Sequence, residues 1–146
     1  MERLAKTFTS ELCWDEVREF GLLNRCSSSE GKTSGKILTY CKDMVSSFRE
    51  KMGIRVCIFK VGVTSNPVSR YIGYKKVGFQ AMWVINSSTS VELTHMLEAA
   101  LIALFGHHIG CRNRTHSGGE GALGRNQPPF YVYITGGRAD QHRAVG

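Results

Sequence analysis

IRVCIFKVGVTSNPVSR, residues 54–70, decides the fold. Ile54–Val63 is rich in β-branched and apolar side chains, the composition of a buried strand. Thr64-Ser65-Asn66-Pro67 then turns the chain. Asn66 can cap a helix through its side-chain oxygen, and Pro67 suits the first helical position because its missing N–H would have no partner there. The helix that starts here carries Arg70 and is expected to end near Gly73.

Working outward, Ile37, Cys41, Met44, Val45, Phe48 and Met52 recur at three- and four-residue steps. That spacing predicts an amphipathic helix over Lys36–Met52, stopped by Gly53. Phe79–Ile85 (FQAMWVI) reads as a second strand. Thr89-Ser90-Val91-Glu92 is a capping box opening a helix that runs to Phe105, with apolar residues at 93, 96, 97, 100, 101, 104 and 105. Nine of the sixteen glycines fall in 106–146, so 107–129 reads as a long loop, the kind that in a compact domain is usually functional. Phe130–Thr135 (FYVYIT) is a final strand, followed by a Gly-Gly turn and a polar tail. On the N-terminal side, Thr9–Gly21 reads as a short helix and Cys26–Gly35 (CSSSEGKTSG) as a loop or linker. Within that loop, Gly31-Lys32-Thr33 resembles the end of a phosphate-binding loop. The glycine required five residues earlier is Cys26, and no clear strand leads in, which rejects that reading.

The expected architecture is α+β: a small three-stranded sheet flanked by helices. Residues 1–36 form a helical extension and Ser/Gly-rich linker, and 37–146 form the main domain. A length of 146 residues suits one domain with a core of its own. No apolar run approaches the roughly 18 residues of a membrane span, and MERLAKTFTS lacks the apolar stretch of a secretory signal. Five cysteines form no Cys-x-x-Cys pair and suit reduced thiols, so an intracellular protein without a membrane partner is expected. Cys13, Cys41 and Cys57 lie on apolar stripes, where thiols are inert, and this argues against cysteine nucleophile chemistry.

Net charge is +7, unevenly spread. Residues 1–36 balance six basic against six acidic side chains, 37–105 carry eight against four, and 106–146 carry five against two. A basic surface attracts polyanions, nucleic acid first among them. Glu98 is the most suggestive single residue, because a carboxylate among apolar neighbours is costly without a counter-ion or ligand. Two roles fit it: an interface glutamate paired with a lysine or arginine, or a metal-binding or catalytic carboxylate. Arg70 is its natural partner, and its planar fork could also meet a phosphate.

Lys60-Val61-Gly62-Val63-Thr64-Ser65-Asn66-Pro67-Val68-Ser69-Arg70 resembles the second motif of the GIY-YIG endonuclease superfamily. There a strand ending in Tyr-Ile-Gly or Lys-Ile-Gly is followed by Thr two residues on, Asn four on and an essential Arg eight on. Gly62, Thr64, Asn66 and Arg70 fit those spacings. The resemblance spans about residues 54–105 and places the family's metal-binding glutamate at Glu98. The literal string Tyr71-Ile72-Gly73 lies after Arg70 and is not the motif. No Gly-Ile-Tyr strand precedes residue 54. Phe130–Thr135 could supply it from the C-terminal side, as in a circular permutation, with Tyr131 or Tyr133 in the tyrosine role.

The resemblance implies an endonuclease that hydrolyses phosphodiester bonds, on DNA before RNA, with one Mg²⁺ or Mn²⁺ at Glu98. Arg70 would stabilise transition-state charge. A tyrosine (Tyr71, Tyr74, Tyr131 or Tyr133), or alternatively His95, would orient or deprotonate water. Lys60, Thr64, Asn66, Lys75 and Lys76 would hold nucleic acid, joined by Arg112, Arg114 and Arg125 around a Gly-rich loop. Two alternatives stand beside this reading. One is a non-catalytic nucleic-acid-binding domain on the same scaffold. The other is a protein-interaction domain stabilised by zinc, with His107, His108, Cys111 and His116 as the candidate ligands.

Overall fold

The structure is a computed structural model, and it describes residues 21–113 and 127–141. The helix expected from Thr9 to Gly21 lies outside them except for Gly21, as do Arg114, His116 and Arg125. The described elements run β1 (Leu22–Ser28), α1 (Ser34–Met52), β2 (Cys57–Thr64), α2 (Pro67–Lys76), β3 (Ala81–Ser88), α3 (Val91–Phe105) and β4 (Phe130–Arg138), with a 3₁₀ turn at Ala139–Gln141. The architecture is α+β, an open mixed sheet in the order β1-β3-β4-β2. β1 runs parallel to β3, and β4 runs antiparallel to both β3 and β2. No helix among the described residues is long and apolar enough to cross a membrane.

Strand alternation divides the core in two. Phe59, Val61 and Val63 of β2, Trp83 of β3 and Phe130, Val132 and Ile134 of β4 point to one face. There they meet Ile37, Cys41, Val45 and Phe48 of α1 and Leu97, Leu101, Ile102 and Phe105 of α3. Phe48 stands edge-on to Trp83, ring centroids 5.3 Å apart. The opposite face presents Met82, Val84 and Tyr133 to Val68 and Tyr71 of α2, with Leu22 of β1 alongside. The sheet therefore carries α1 and α3 on one side and α2 on the other.

The sheet has four strands where three were expected. Leu22–Ser28, whose last three residues fall in the stretch expected as linker, pairs with β3 from Leu22 opposite Met82 to Ser28 opposite Ser87. An edge strand needs few apolar residues. Leu22 is buried here, and Arg25 lies 4.6 Å from the centroid of the Trp83 ring. A strand thus does lead toward Gly31-Lys32-Thr33, but position 26, where a phosphate-binding loop would need its first glycine, is a cysteine inside that strand, and the reading stays rejected. Thr33 instead caps α1, accepting from the Lys36 N–H at 3.3 Å.

Other boundaries shift for local reasons. The strand expected from Ile54 begins at Cys57, because Gly53, at φ +98°, accepts from the Val56 and Cys57 N–H groups and holds 54–56 in a turn. The helix with Arg70 passes Gly73 and runs to Lys76. Ser90, not Thr89, caps α3, its hydroxyl accepting from the Leu93 N–H at 3.1 Å. The strand expected over 79–85 runs instead from Ala81 to Ser88.

Gly136 and Gly137, expected to form a turn, continue β4. At Gly136 the strand passes so close to β2 that a Cβ would collide with the Ile58 carbonyl oxygen. Gly136→Ala is expected to lower the unfolding free energy by about 2 kcal/mol, since the obstruction is backbone that cannot yield without separating β2 from β4. Urea denaturation with an unchanged m-value checks this.

Candidate active site

β2 and β4 pair with Gly62 opposite Tyr133, Thr64 opposite Tyr131 and Lys60 opposite Thr135. Cross-strand partners share a face, so Lys60, Thr64, Tyr131 and Tyr133 all lie on the α2 side. Gly62 has a steric purpose: a Cβ there would occupy the position of the Tyr133 hydroxyl and ring.

The tyrosines differ sharply in what they can reach. Tyr133 is 1% exposed, with its hydroxyl 3.0 Å from that of Tyr74. Tyr74 in turn stacks on Phe79 at a centroid distance of 5.3 Å, with the Lys60 Nζ 5.7 Å from its ring centroid. Tyr71 is fully buried and donates its hydroxyl to the Gln80 carbonyl at 3.1 Å, and burial pushes its pKa up to about 12. It is a core residue, and its place among the catalytic candidates gives way to that role. Tyr131 is only half-buried and opens onto a cavity of about 460 Å³ that also touches Asn24, Cys26, Glu30 and Ser87.

Thr64 and Asn66 are engaged in building the turn. The Thr64 hydroxyl accepts from the Asn66 N–H at 3.0 Å, and the Asn66 side chain caps α2 by accepting from the Ser69 N–H at 3.1 Å. Their spacing therefore places the helix that presents Arg70. Arg70 is half-buried, and its guanidinium makes no hydrogen bond or ion pair among the described residues. Lys75 and Lys76 are exposed in the last turn of the same helix, with the Lys75 Nζ 6.0 Å from the Tyr71 ring centroid.

Glu98 is not the partner of Arg70. It is 1% exposed on the packed side of α3, a helix that covers the opposite face of the sheet from α2. Its Oε1 lies 3.6 Å from Nδ1 of His95, whose side chain is 39% exposed. Helical spacing located both residues on their helices but held no information about which side of the sheet each helix would cover. On the α2 side, the carboxylate that lines the Tyr131 cavity is Glu30. Sequence reasoning passed over it because it sits in a stretch that read as linker.

The loop after α3 covers the β2 edge. The Phe59 N–H donates to Gly110 O, and the Arg112 N–H to Phe59 O. The Asn113 side chain bonds both backbone groups of Val61, at 2.9 and 2.7 Å. His107 and His108 stack with centroids 4.4 Å apart, and the Cys111 thiol donates to the Asn113 side-chain oxygen at 3.5 Å. Burial, the Arg49 charge and His107 together hold the His108 pKa below its ordinary value. No group of three or more His, Cys, Asp or Glu side chains among the described residues is placed to hold a metal ion.

Set against known proteins, the chain matches no family model, no curated protein and no solved structure.

Burial raises five acids in the same direction: Cys26 and Cys41 to about 12, Cys57 to about 11, Tyr71 to about 12, and Tyr40 above its ordinary value. For Cys26 the neighbouring Cys41 adds to the burial effect. Each group holds its proton more tightly folded than unfolded, so stability is full below the ordinary thiol and phenol values and falls as pH rises through the folded ones. Chemical denaturation is expected to show a steady loss of unfolding free energy from about pH 9 to pH 12. At pH 8, Cys41 and Cys57 are expected to resist iodoacetamide in the folded protein, read residue by residue by mass spectrometry.

Proposed function

We propose that this chain is an endonuclease that hydrolyses nucleic-acid phosphodiester bonds, DNA before RNA, in the presence of Mg²⁺ or Mn²⁺. The observation that carries the reading is the β2–β4 register, with Gly62 beneath Tyr133 and Tyr131 beside the cavity, on the face covered by the helix of Arg70. The resemblance to the GIY-YIG superfamily asks for a tyrosine strand next to the Gly62 strand, and β4 is such a strand.

In this reading Tyr131, half-buried and open to the cavity, orients the attacking water or takes its proton. Tyr133, enclosed and bonded to Tyr74, positions the strand and does not touch substrate. Arg70 meets the charge that grows on the phosphoryl oxygens. Lys60, Lys75 and Lys76 hold the backbone on the same side. The resemblance asks for one divalent ion, and no group of three or more His, Cys, Asp or Glu side chains among the described residues is placed to hold it. Glu98 does not fit that ion as it is placed, because a Mg²⁺ that keeps several waters has no room at a carboxylate 1% exposed in a packed helix face.

A second reading draws on that same burial: a domain that keeps the scaffold and basic surface, and binds nucleic acid without cutting it.

Plasmid and branched or single-stranded DNA incubated with Mg²⁺ or Mn²⁺ distinguish the two. Cutting is expected to fall 100-fold or more in Arg70→Ala and 10-fold or more in Tyr131→Phe, with Tyr133→Phe less affected. Glu30→Gln and Glu98→Gln identify which carboxylate the reaction needs. Intact DNA with salt-sensitive binding favours the second reading, and cutting that persists in Arg70→Ala rules out this site.

A further inference from the structure

At the other end of β2 the chain builds a pocket that the proposed reaction does not use. Its volume is about 530 Å³, within the range of small-ligand sites, and it lies where α1 ends, β2 begins and the loop after α3 folds back. Arg49, Arg55 and Arg112 line it together with His107 and His108, and no aspartate or glutamate is among the lining residues. Asp140, in the adjoining 3₁₀ turn, is committed to Arg138 through bonds of 3.2 and 3.0 Å.

Three guanidinium groups around one cavity repel one another, and a protein tolerates that best where an anion completes the set. Two of them are also short of acceptors. The Nε atoms of Arg49 and Arg112 are buried and bond to no acceptor among the described residues. A buried N–H without a partner is costly, and an anion bound beside these guanidinium groups would offset part of that cost electrostatically. The guanidinium groups are held from other directions. Arg49 packs on the Phe59 ring at 5.2 Å and lies 3.4 Å from Nδ1 of His108, and Arg112 donates to the Ile109 carbonyl at 2.9 Å. Preorganised forks of this kind match the oxygens of a phosphate better than a carboxylate does, because several can bond different oxygens at once.

We infer that the pocket of Arg49, Arg55, Arg112, His107 and His108 binds a phosphate group, as a site separate from the tyrosine face. Cys57 and Thr64 stand at opposite ends of β2, about 23 Å apart at the rise of a strand, so the two sites do not share a ligand phosphate. The same phosphate chemistry has two sources: a terminal phosphate of nucleic acid, or a free small phosphate compound. The inference holds whether or not the tyrosine face cuts.

Calorimetric titration in phosphate-free buffer tests it, with inorganic phosphate, adenosine monophosphate, and a short oligonucleotide with and without a 5′-phosphate as probes. Saturable phosphate binding is expected, weakened at least 5-fold by Arg55→Ala and by Arg112→Gln. Arg55 is exposed, so its variant keeps the fold, which circular dichroism verifies. A 5′-phosphorylated oligonucleotide that binds at least 10-fold tighter than both its unphosphorylated form and the mononucleotide supports the pocket and names nucleic acid as the source. Equal binding of mononucleotide and phosphorylated oligonucleotide supports it with a small compound as the source. Absence of saturable binding by every phosphate probe, or binding that both pocket variants leave intact, overturns the inference.

Discussion

β4 lies between β2 and β3 and must satisfy the hydrogen bonds of both at once, so its register sets the position of every other layer. Two glycines make that register possible. Gly136 lets β4 approach β2 where any side chain would strike the Ile58 carbonyl, and Gly62 clears the space that Tyr133 fills. Because side chains alternate along a strand, a slip of one residue would carry Tyr131 and Tyr133 through the sheet to the α1 and α3 side. The apolar set Phe130, Val132 and Ile134 would then leave the larger core, a loss that specifies the observed pairing strongly.

Much of the fold was legible because it depends on local chemistry. The three- and four-residue steps of Ile37, Cys41, Val45 and Phe48 mark a helix buried on one side, and those four side chains are all buried. Asn66-Pro67 starts α2 as its residue types require. Elements decided by distant partners were harder to read. β1 has too few apolar residues to show as a strand and is stabilised by pairing with β3, more than fifty positions along the chain. Gly136 and Gly137 carry the usual signal of a turn, yet they stay extended because the neighbouring strands press too closely for side chains.

The site was legible to the same degree. Spacing alone suffices to place Thr64, Asn66 and Arg70 in one turn and the start of one helix, with Asn66 as its cap. Which tyrosine opens onto the cavity, and whether Arg70 and Glu98 share a face, depends on how the layers stack. Sequence periodicity carries no record of that. The outcome gathers Arg70, Lys60 and the tyrosines on one side of the sheet, encloses Glu98 on the other, and leaves a second cluster of arginines at the far end of β2. The basic excess thus has two separate locations, one on the α2 face and one at the pole beside Arg49.

The pairing beneath all of this can be observed directly by nuclear Overhauser spectroscopy on protein with labelled tyrosine rings and Val and Met methyl groups. Cross-peaks from the Tyr133 ring to the Gly62 Hα and to the methyl groups of Val84 and Met82 are the expected result. Cross-peaks from that ring to Val61 or Trp83 in their place would mean a one-residue slip and would contradict the tyrosine face on which the proposed activity rests.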